Sequence, residues 1–300
     1  MNSCKLQGGL GNQLFQIFTT IAYSLEQSKP FFFLNNHQLT TGINGETIRY
    51  TYWKTLLSAL HPFLKHIDDV PKLYCIKEKS FNYNNILEHK IHLENNKYSK
   101  NLSKTYGSLL VGYFQSPKYF DKYKNIICRM IKLDLKKMLV NGKTNIDFVN
   151  NLHISMHFRI GDYKKYPQVY PILSQQYYSN SISFILDQVT NKPKEVLYFC
   201  EEEDLEDITK IIVILQEQFP FLNFVRVNPL LEDWEQLLLM SLCQYNIIAN
   251  STFSWWGGYL NNSPNKLVCY PCQWFQPNSG HDTSDLFPEK GWVQISVSNL

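Results

Sequence analysis

Apolar and polar positions along this chain follow two periods, and the period switches where Gly, Asn or Pro interrupts the text. Leu14, Phe15, Phe18, Ile21, Ala22 and Leu25 recur at helical spacing, which predicts an amphipathic helix over 13–27. The unbroken apolar run Phe31 to Leu34 then predicts a strand buried on both faces. A Gly-rich turn precedes the helix, so the chain opens as an α/β domain with a parallel sheet. From 35 to 105 the text is rich in Asn, Lys, Tyr and His, and no period dominates. Residues 109–114 predict a strand and 119–139 a helix.

The stretch Asn141-Gly142-Lys143-Thr144-Asn145 is the linker that the pattern predicts, dividing the chain into domains 1–145 and 146–300. Its Gly-Lys-Thr is not a phosphate-binding P-loop, because the first Gly of that motif would fall at Lys137. Beyond it strands at 154–159, 196–200, 221–227 and 246–250 alternate with helices at 174–190, 204–218, 232–244 and 254–261. Two Rossmann-like domains facing a cleft are the expected architecture, with ligands at the carboxyl ends of the strands.

Composition narrows the function. Three hundred residues, 44% hydrophobic and 18% charged, suffice for two ordinary cores. A formal charge of +3 with scattered Lys and Arg gives no footprint for nucleic acid. The nearest basic run, Lys132 to Lys137, reads as a solvated amphipathic helix. No apolar stretch approaches the ~20 residues that span a bilayer, and the start has no signal-peptide pattern. Seven cysteines without a regular framework suggest reduced thiols in a cytoplasmic setting. Cys269 and Cys272 have CxxC spacing, but no second pair completes a zinc site, and no metal is expected.

Four segments carry candidate chemistry. In Ile154-Ser155-Met156-His157-Phe158-Arg159, period two sets His157 and Arg159 on one face at the strand's end, before Gly161 turns the chain. Arg159 either pairs with an acidic neighbour such as Asp162 or clamps a diphosphate through bidentate, charge-assisted hydrogen bonds. In Asn250-Ser251-Thr252-Phe253-Ser254 a strand runs into good N-cap residues, and a helix N-terminus there offers N–H groups to phosphate. Gly8-Gly9-Leu10-Gly11-Asn12-Gln13 fails as a dinucleotide fingerprint, because Leu14 stands where the third Gly belongs. It still gives a turn that lets a ligand approach the backbone, with Asn12 and Gln13 as polar contacts. The acidic run Glu201-Glu202-Glu203-Asp204 is read chiefly as favouring a helix dipole, with Glu201 or Glu202 in reach of a sugar hydroxyl.

Together these segments resemble the α-1,2-fucosyltransferases, family 11 of glycosyltransferases. The likeness rests on residues 8–16, on His157-Phe158-Arg159-Ile160-Gly161-Asp162-Tyr163, on 247–257, and on Gly112-Tyr113-Phe114-Gln115-Ser116 followed by Lys118-Tyr119-Phe120-Asp121. It covers nearly the whole chain. It implies a GT-B-like fold, GDP-β-L-fucose as donor, the 2-hydroxyl of a terminal β-galactoside as acceptor, inversion, and neither metal nor cofactor. It further implies that Arg159 binds the β-phosphate, that His157 lies near the nucleoside, and that Asn250 and the turn Ser251, Thr252, Phe253 and Ser254 hold the donor. Gly9, Gly11, Asn12 and Gln13 would form the acceptor-side loop at the cleft. Asp162 is the nearest carboxylate for a catalytic base, with Glu201 the second.

The chain departs from the family pattern in two places. Ile160 stands where a second Arg is usual, and Gln236 where an Asp is usual, with Asp233 and Glu235 nearby. The second change keeps a different nucleotide sugar open as donor. A non-catalytic carbohydrate-binding protein is the other alternative, with Trp53, Trp255 and Trp256 as stacking surfaces. Met1 lies seven residues before Gly8, which suggests a bacterial or viral type without the membrane anchor of animal relatives.

Overall fold

The computed structural model describes residues 1–41, 47–87 and 107–297. It separates into two compact units, Met1–Lys136 with Asp282–Phe287, and Lys137–His281 with Pro288–Leu300. Residues 88–106, most of them in the stretch without a clear period, lie outside the described residues.

In the first unit β1 (Ser3–Cys4), β7 (Gly107–Val111) and β6 (Leu73–Lys77) form a parallel sheet in that order. A bridge from Asn2 to Phe31 leads to β2 (Phe33–Leu34), which pairs in parallel with β5 (Leu64–Lys65). An antiparallel hairpin joins β3 (Gln38–Thr41) and β4 (Thr47–Tyr50). The first helix, Leu10–Glu26, is buried on nearly every side rather than amphipathic. Two of its hydroxyls are absorbed locally: those of Thr20 and Ser24 donate to the carbonyls of Gln16 and Thr20, each at 2.7 Å. The helix expected over 119–139 is broken into Lys124–Met130 and Leu133–Asn141, because Lys132 between them has φ 55°. Lys137 is buried rather than solvated, and its ammonium donates to the carbonyl of Leu260 at 2.6 Å.

The second unit is built on six parallel strands, β8 (His153–His157), β9 (Glu195–Phe199), β10 (Asn223–Arg226), β11 (Tyr245–Ile247), β12 (Leu267–Pro271) and β13 (Trp292–Ile295). Their spatial order is β10-β9-β8-β11-β12-β13. Counted within the unit this is the 3-2-1-4-5-6 order of dinucleotide-binding folds, whose direction reverses between β8 and β11. The helices Gln175–Gln188, Leu205–Gln218, Asp233–Met240 and Thr252–Tyr259 fall within a few residues of the periodicity. The last two strands were not legible in the pattern. Cys269 is buried within β12, Cys272 is exposed just beyond it, and both are free thiols.

Alternation along β8 sends Ile154, Met156, Phe158 and Ile160 into one apolar cluster with Tyr177, Ile182 and Ile247. Each such side chain contributes about 1.5–3 kcal/mol by leaving water. The other face holds a polar network. Asn246, fully buried on β11, donates to the Ser155 hydroxyl and the Met240 carbonyl, each at 2.7 Å, and accepts from the Asn261 amide at 2.8 Å. Trp255 and Trp256 are fully buried and Trp53 nearly so, which removes them as sugar-stacking surfaces. Among the described residues, no helix is long and apolar enough to cross a membrane.

Asn246 therefore sets a test of the fold. Asn246→Ala removes three hydrogen bonds and strands buried partners, a loss of about 2–4 kcal/mol. Urea denaturation monitored by circular dichroism should show the midpoint fall without a change of slope.

Candidate functional site

Strand order reverses between β8 and β11, the place where folds of this kind bind ligands at the strands' carboxyl ends, and both motifs of the second unit emerge there. The strand expected over 154–159 ends at His157, with Phe158 donating a last bond to the Phe199 carbonyl at 2.9 Å. Arg159 thus stands on the loop beyond the sheet. After β11 the chain passes through Ile248, Ala249 and Asn250 to Ser251, the N-cap of the helix Thr252–Tyr259.

Arg159 is held by two carboxylates. Its guanidinium donates to Asp162 at 2.7 Å and to Glu201, and it lies 5.3 Å over the ring of Tyr163. Both sequence readings of Arg159 involve charge, and the acidic pairing is realised. The pairing leaves donors in hand, since a guanidinium carries five N–H groups. Burial pulls the Arg159 pKa down, but Glu201, Asp162 and Tyr163 outweigh it and hold the group above its ordinary value.

The acidic run does more than favour a helix dipole. Glu201 grips Arg159, buried Asp204 accepts the Gly161 N–H at 2.7 Å, and Glu202 pairs with Arg226 at 2.5 Å. A side chain at Gly161 would set its Cβ 2.8 Å from the Glu201 carboxylate, so a substitution there would push aside the group that grips Arg159.

Tyr163 joins the two motifs. Its hydroxyl donates to the Asn250 carbonyl at 2.8 Å, and its ring stacks on Tyr170 at 4.3 Å. Burial pushes this phenol well up, so it stays protonated as a donor. Sequence reasoning missed this link, and the only trace of it was an aromatic directly after Asp162.

Three groups face into this region with unequal freedom. Asn250 donates both amide hydrogens, to Pro171 at 3.0 Å and Trp274 at 3.1 Å, which fixes its orientation and leaves Oδ1 buried without a partner in the protein. His157 is only 7% exposed, its Nδ1 has no partner, and its ring lies 5.4 Å from that of Phe253. Burial, then the charge of Arg159, push its pKa down to about 3, so the ring is neutral at physiological pH. The Ser251 hydroxyl accepts the Phe253 N–H at 3.3 Å as a cap, and Ser254 is buried with its hydroxyl turned back to Ala249 and Ser251. Thr252 and Phe253 are the more accessible pair of the turn.

In the first unit Gly9 is the N-cap of the helix Leu10–Glu26, and Gly8 has φ 78° with Asn12 packed too close for a side chain. Gln13 is fully buried and donates to the Gly8 carbonyl at 3.0 Å and the Tyr50 carbonyl at 2.9 Å. Asn12 accepts from Gln115 at 2.9 Å, and Gly11 is buried in the first helical turn. Gln236 donates to the Leu231 carbonyl at 2.9 Å, while Glu235 completes a capping box and pairs with Lys143. Among the described residues, no three His, Cys, Asp or Glu side chains gather as metal ligands.

A family model described as glycosyl transferase family 11 matches residues 1–295. The chain belongs to this family. This family 11 glycosyltransferase is 26% identical over 310 residues to an alpha-1,2-colitosyltransferase of Escherichia coli, covering 97% of each chain. It is 27% identical over 204 residues to the O-antigen biosynthesis glycosyltransferase WbnK of Escherichia coli, covering 63% of this chain and 61% of that one. Among solved structures it is similar to POFUT1 in complex with GDP-fucose, with a TM-score of 0.50 and 9% identity over 90% of this chain and 97% of that one. That likeness shows a shared fold, of the GT-B type that the sequence led us to expect.

His157 makes the site's electrostatics measurable. Its folded pKa lies below the unfolded value of 6.5, so the unfolded chain binds the proton first. The stability that neutral His157 contributes is complete above about pH 6.5 and is lost as pH falls toward 3. Within that window it accounts for a slope of up to about 1.4 kcal/mol per pH unit. Chemical denaturation at pH 7, 5 and 4 should show His157→Leu losing less stability on acidification than the wild type.

Proposed function

We propose that this glycosyltransferase moves L-fucose from GDP-β-L-fucose to the 2-hydroxyl of a terminal β-galactoside, inverting the anomeric centre without an obligatory metal. The observation that carries this reading is the convergence at the β8–β11 switch point of a guanidinium, a capped helix N-terminus and two unpartnered buried polar atoms. That combination suits a nucleoside diphosphate, with Arg159 and the positive end of the helix that begins at Thr252 meeting phosphate charge. Neutral His157 and the Asn250 Oδ1 would meet the nucleoside or sugar. In the reaction the acceptor oxygen bonds to the anomeric carbon as its bond to the β-phosphate breaks, and GDP leaves. Charge develops on that phosphate, and a preorganised Arg159 stabilises it without reorganisation.

Asp162 and Glu201 are both engaged by Arg159, which disfavours either as a free base. Their role in this reading is to aim the guanidinium, and the acceptor proton ultimately leaves with the phosphate. The acceptor-side loop of Gly9, Gly11, Asn12 and Gln13 belongs to the first unit, where Gln13 serves by holding the turn. A second donor, a nucleotide-linked colitose, is favoured by the likeness to a colitosyltransferase over 97% of the chain.

The experiment compares wild type and Arg159→Ala with GDP-fucose and GDP-colitose on a panel of β-galactosides in EDTA. Wild-type turnover should persist in EDTA, and the variant should lose about 100-fold or more in rate. Its thermal stability should change little, because the carboxylates it leaves are half exposed. In a thermal-shift panel of GDP, UDP and CDP, GDP at 100 Kd should stabilise the wild type by about 2.7 kcal/mol. Full activity in Arg159→Ala would sink the site, and stabilisation by UDP or CDP alone would replace the donor.

A further inference from the structure

The segment Gly112-Tyr113-Phe114-Gln115-Ser116 leaves the carboxyl end of β7, next to Glu78 at the carboxyl end of β6. The Glu78 carboxylate accepts the N–H of Tyr113 at 2.7 Å on one oxygen and that of Phe114 at 2.8 Å on the other. Phe114, buried, has φ 53°, a left-handed conformation that a bulky residue holds only when its surroundings impose it. At Gly112 a Cβ would lie 2.4 Å from the Cβ of Glu78, so the loop is pressed against this carboxylate. Gln115 then reaches Asn12 and ties the loop to the Gly-rich turn after β1. Three loops therefore meet at the carboxyl ends of one parallel sheet, the edge at which such sheets bind ligands.

Strain of this kind concentrates where a loop must present something. What it presents is Tyr113, 39% exposed beside a half-buried carboxylate. Next to it lies a small recess of about 10 Å³, room for about one water or one hydroxyl, lined by Glu78, Asn84, Ile86, Phe114 and Tyr119. A carboxylate has about four acceptor directions, and the two backbone bonds leave capacity on each oxygen for a hydroxyl. An aromatic face beside an acceptor of hydroxyl protons suits a neutral polyol ring, apolar on its C–H face and polar at its rim.

We propose that Glu78 and Tyr113 form a hydroxyl-binding subsite for the acceptor sugar on the first unit, with Glu78 also positioning the loop. This rests on the glycosyltransferase reading above and names where its acceptor is gripped. The group's environment agrees: burial pushes the Glu78 carboxyl up, and burial together with the Glu78 charge raises the Tyr113 phenol.

The test separates a sugar contact from a loop clamp. Tyr113→Leu keeps the backbone N–H that Glu78 holds and removes only the ring, whereas Glu78→Gln removes one charged acceptor. Lactose is the probe, read by transfer kinetics and by saturation-transfer NMR on protein saturated with GDP. Both variants should raise the KM for lactose by about tenfold or more and weaken its saturation-transfer signal, with GDP affinity unchanged. If Glu78→Gln fails to fold, Tyr113→Leu decides alone. An unaltered lactose KM and signal in Tyr113→Leu overturns the subsite. So does a wild type that binds GDP but gives no lactose signal, and that result leaves the donor reading standing. A wild type that binds lactose but not GDP instead defeats the donor reading and spares the subsite.

Discussion

Neighbouring parallel strands whose crossovers leave in opposite directions cannot have their carboxyl ends covered by the same connection. In the second unit that condition holds between β8 and β11, and the rest of the site follows from it. The loop after β8 and the turn after β11 are 87 residues apart at Tyr163 and Asn250, yet one 2.8 Å hydrogen bond joins them. The register of the two strands, with Ser155 opposite Asn246, makes that meeting possible. The buried Asn246 network fastens the register from the sheet's polar face. Fold and site are thus one constraint, because whatever loosens the β8–β11 pair moves the guanidinium relative to the helix N-terminus.

Arg159 has its counter-charge before any ligand arrives. A guanidinium only 22% exposed is costly without counter-charge, and Asp162 and Glu201 supply it. The same carboxylates hold the fork in one orientation, which lowers the ordering cost of a later phosphate contact. In the proposed reading an incoming diphosphate meets the N–H groups that the carboxylates leave unused, so the guanidinium keeps both holders. Neutral His157 fits this balance, since an imidazolium beside Arg159 would add like-charge repulsion.

Period alone located the alternating strands and helices of the second unit because its strands carry apolar residues as runs, as from Val196 to Phe199, or in alternation, as at Ile154, Met156 and Phe158. It also set His157 and Arg159 on a different face from Phe158 and Ile160, and the latter two lie in the apolar cluster. Other features were hidden for physical reasons. The strands β12 and β13 carry Tyr, Pro, Gln and Trp between breakers, so no period of two stands out. The break at Lys132 depends on one residue's φ, which a helical pattern does not announce. The helix Leu10–Glu26 looked amphipathic because Gln, Thr and Ser count as polar, although the hydroxyls of Thr20 and Ser24 are satisfied by its own backbone. In the site, Arg159 and the Ser251 cap were legible as residue types at strand ends. The links to Glu201 and Tyr163 were not, since the first spans 42 residues and the second ends on a backbone carbonyl with no sequence identity of its own.

The same alternation explains why Ile160 costs the site nothing evident. Position 160 is 6% exposed and its side chain lies with Phe158 and Met156, on the side away from the guanidinium. A cation placed there would have to leave this cluster or find a buried counter-ion, at a desolvation penalty of several kcal/mol. The second Arg of the family pattern is therefore not a phosphate ligand removed from this chain's site, because in this backbone that position does not face the guanidinium at all. In the proposed reading the load falls on one guanidinium whose aim is set by two carboxylates and a tyrosine ring. A phosphate contact made by one guanidinium depends on the rigidity of its holders, which is why Asp204 and Tyr163 matter alongside the charge itself.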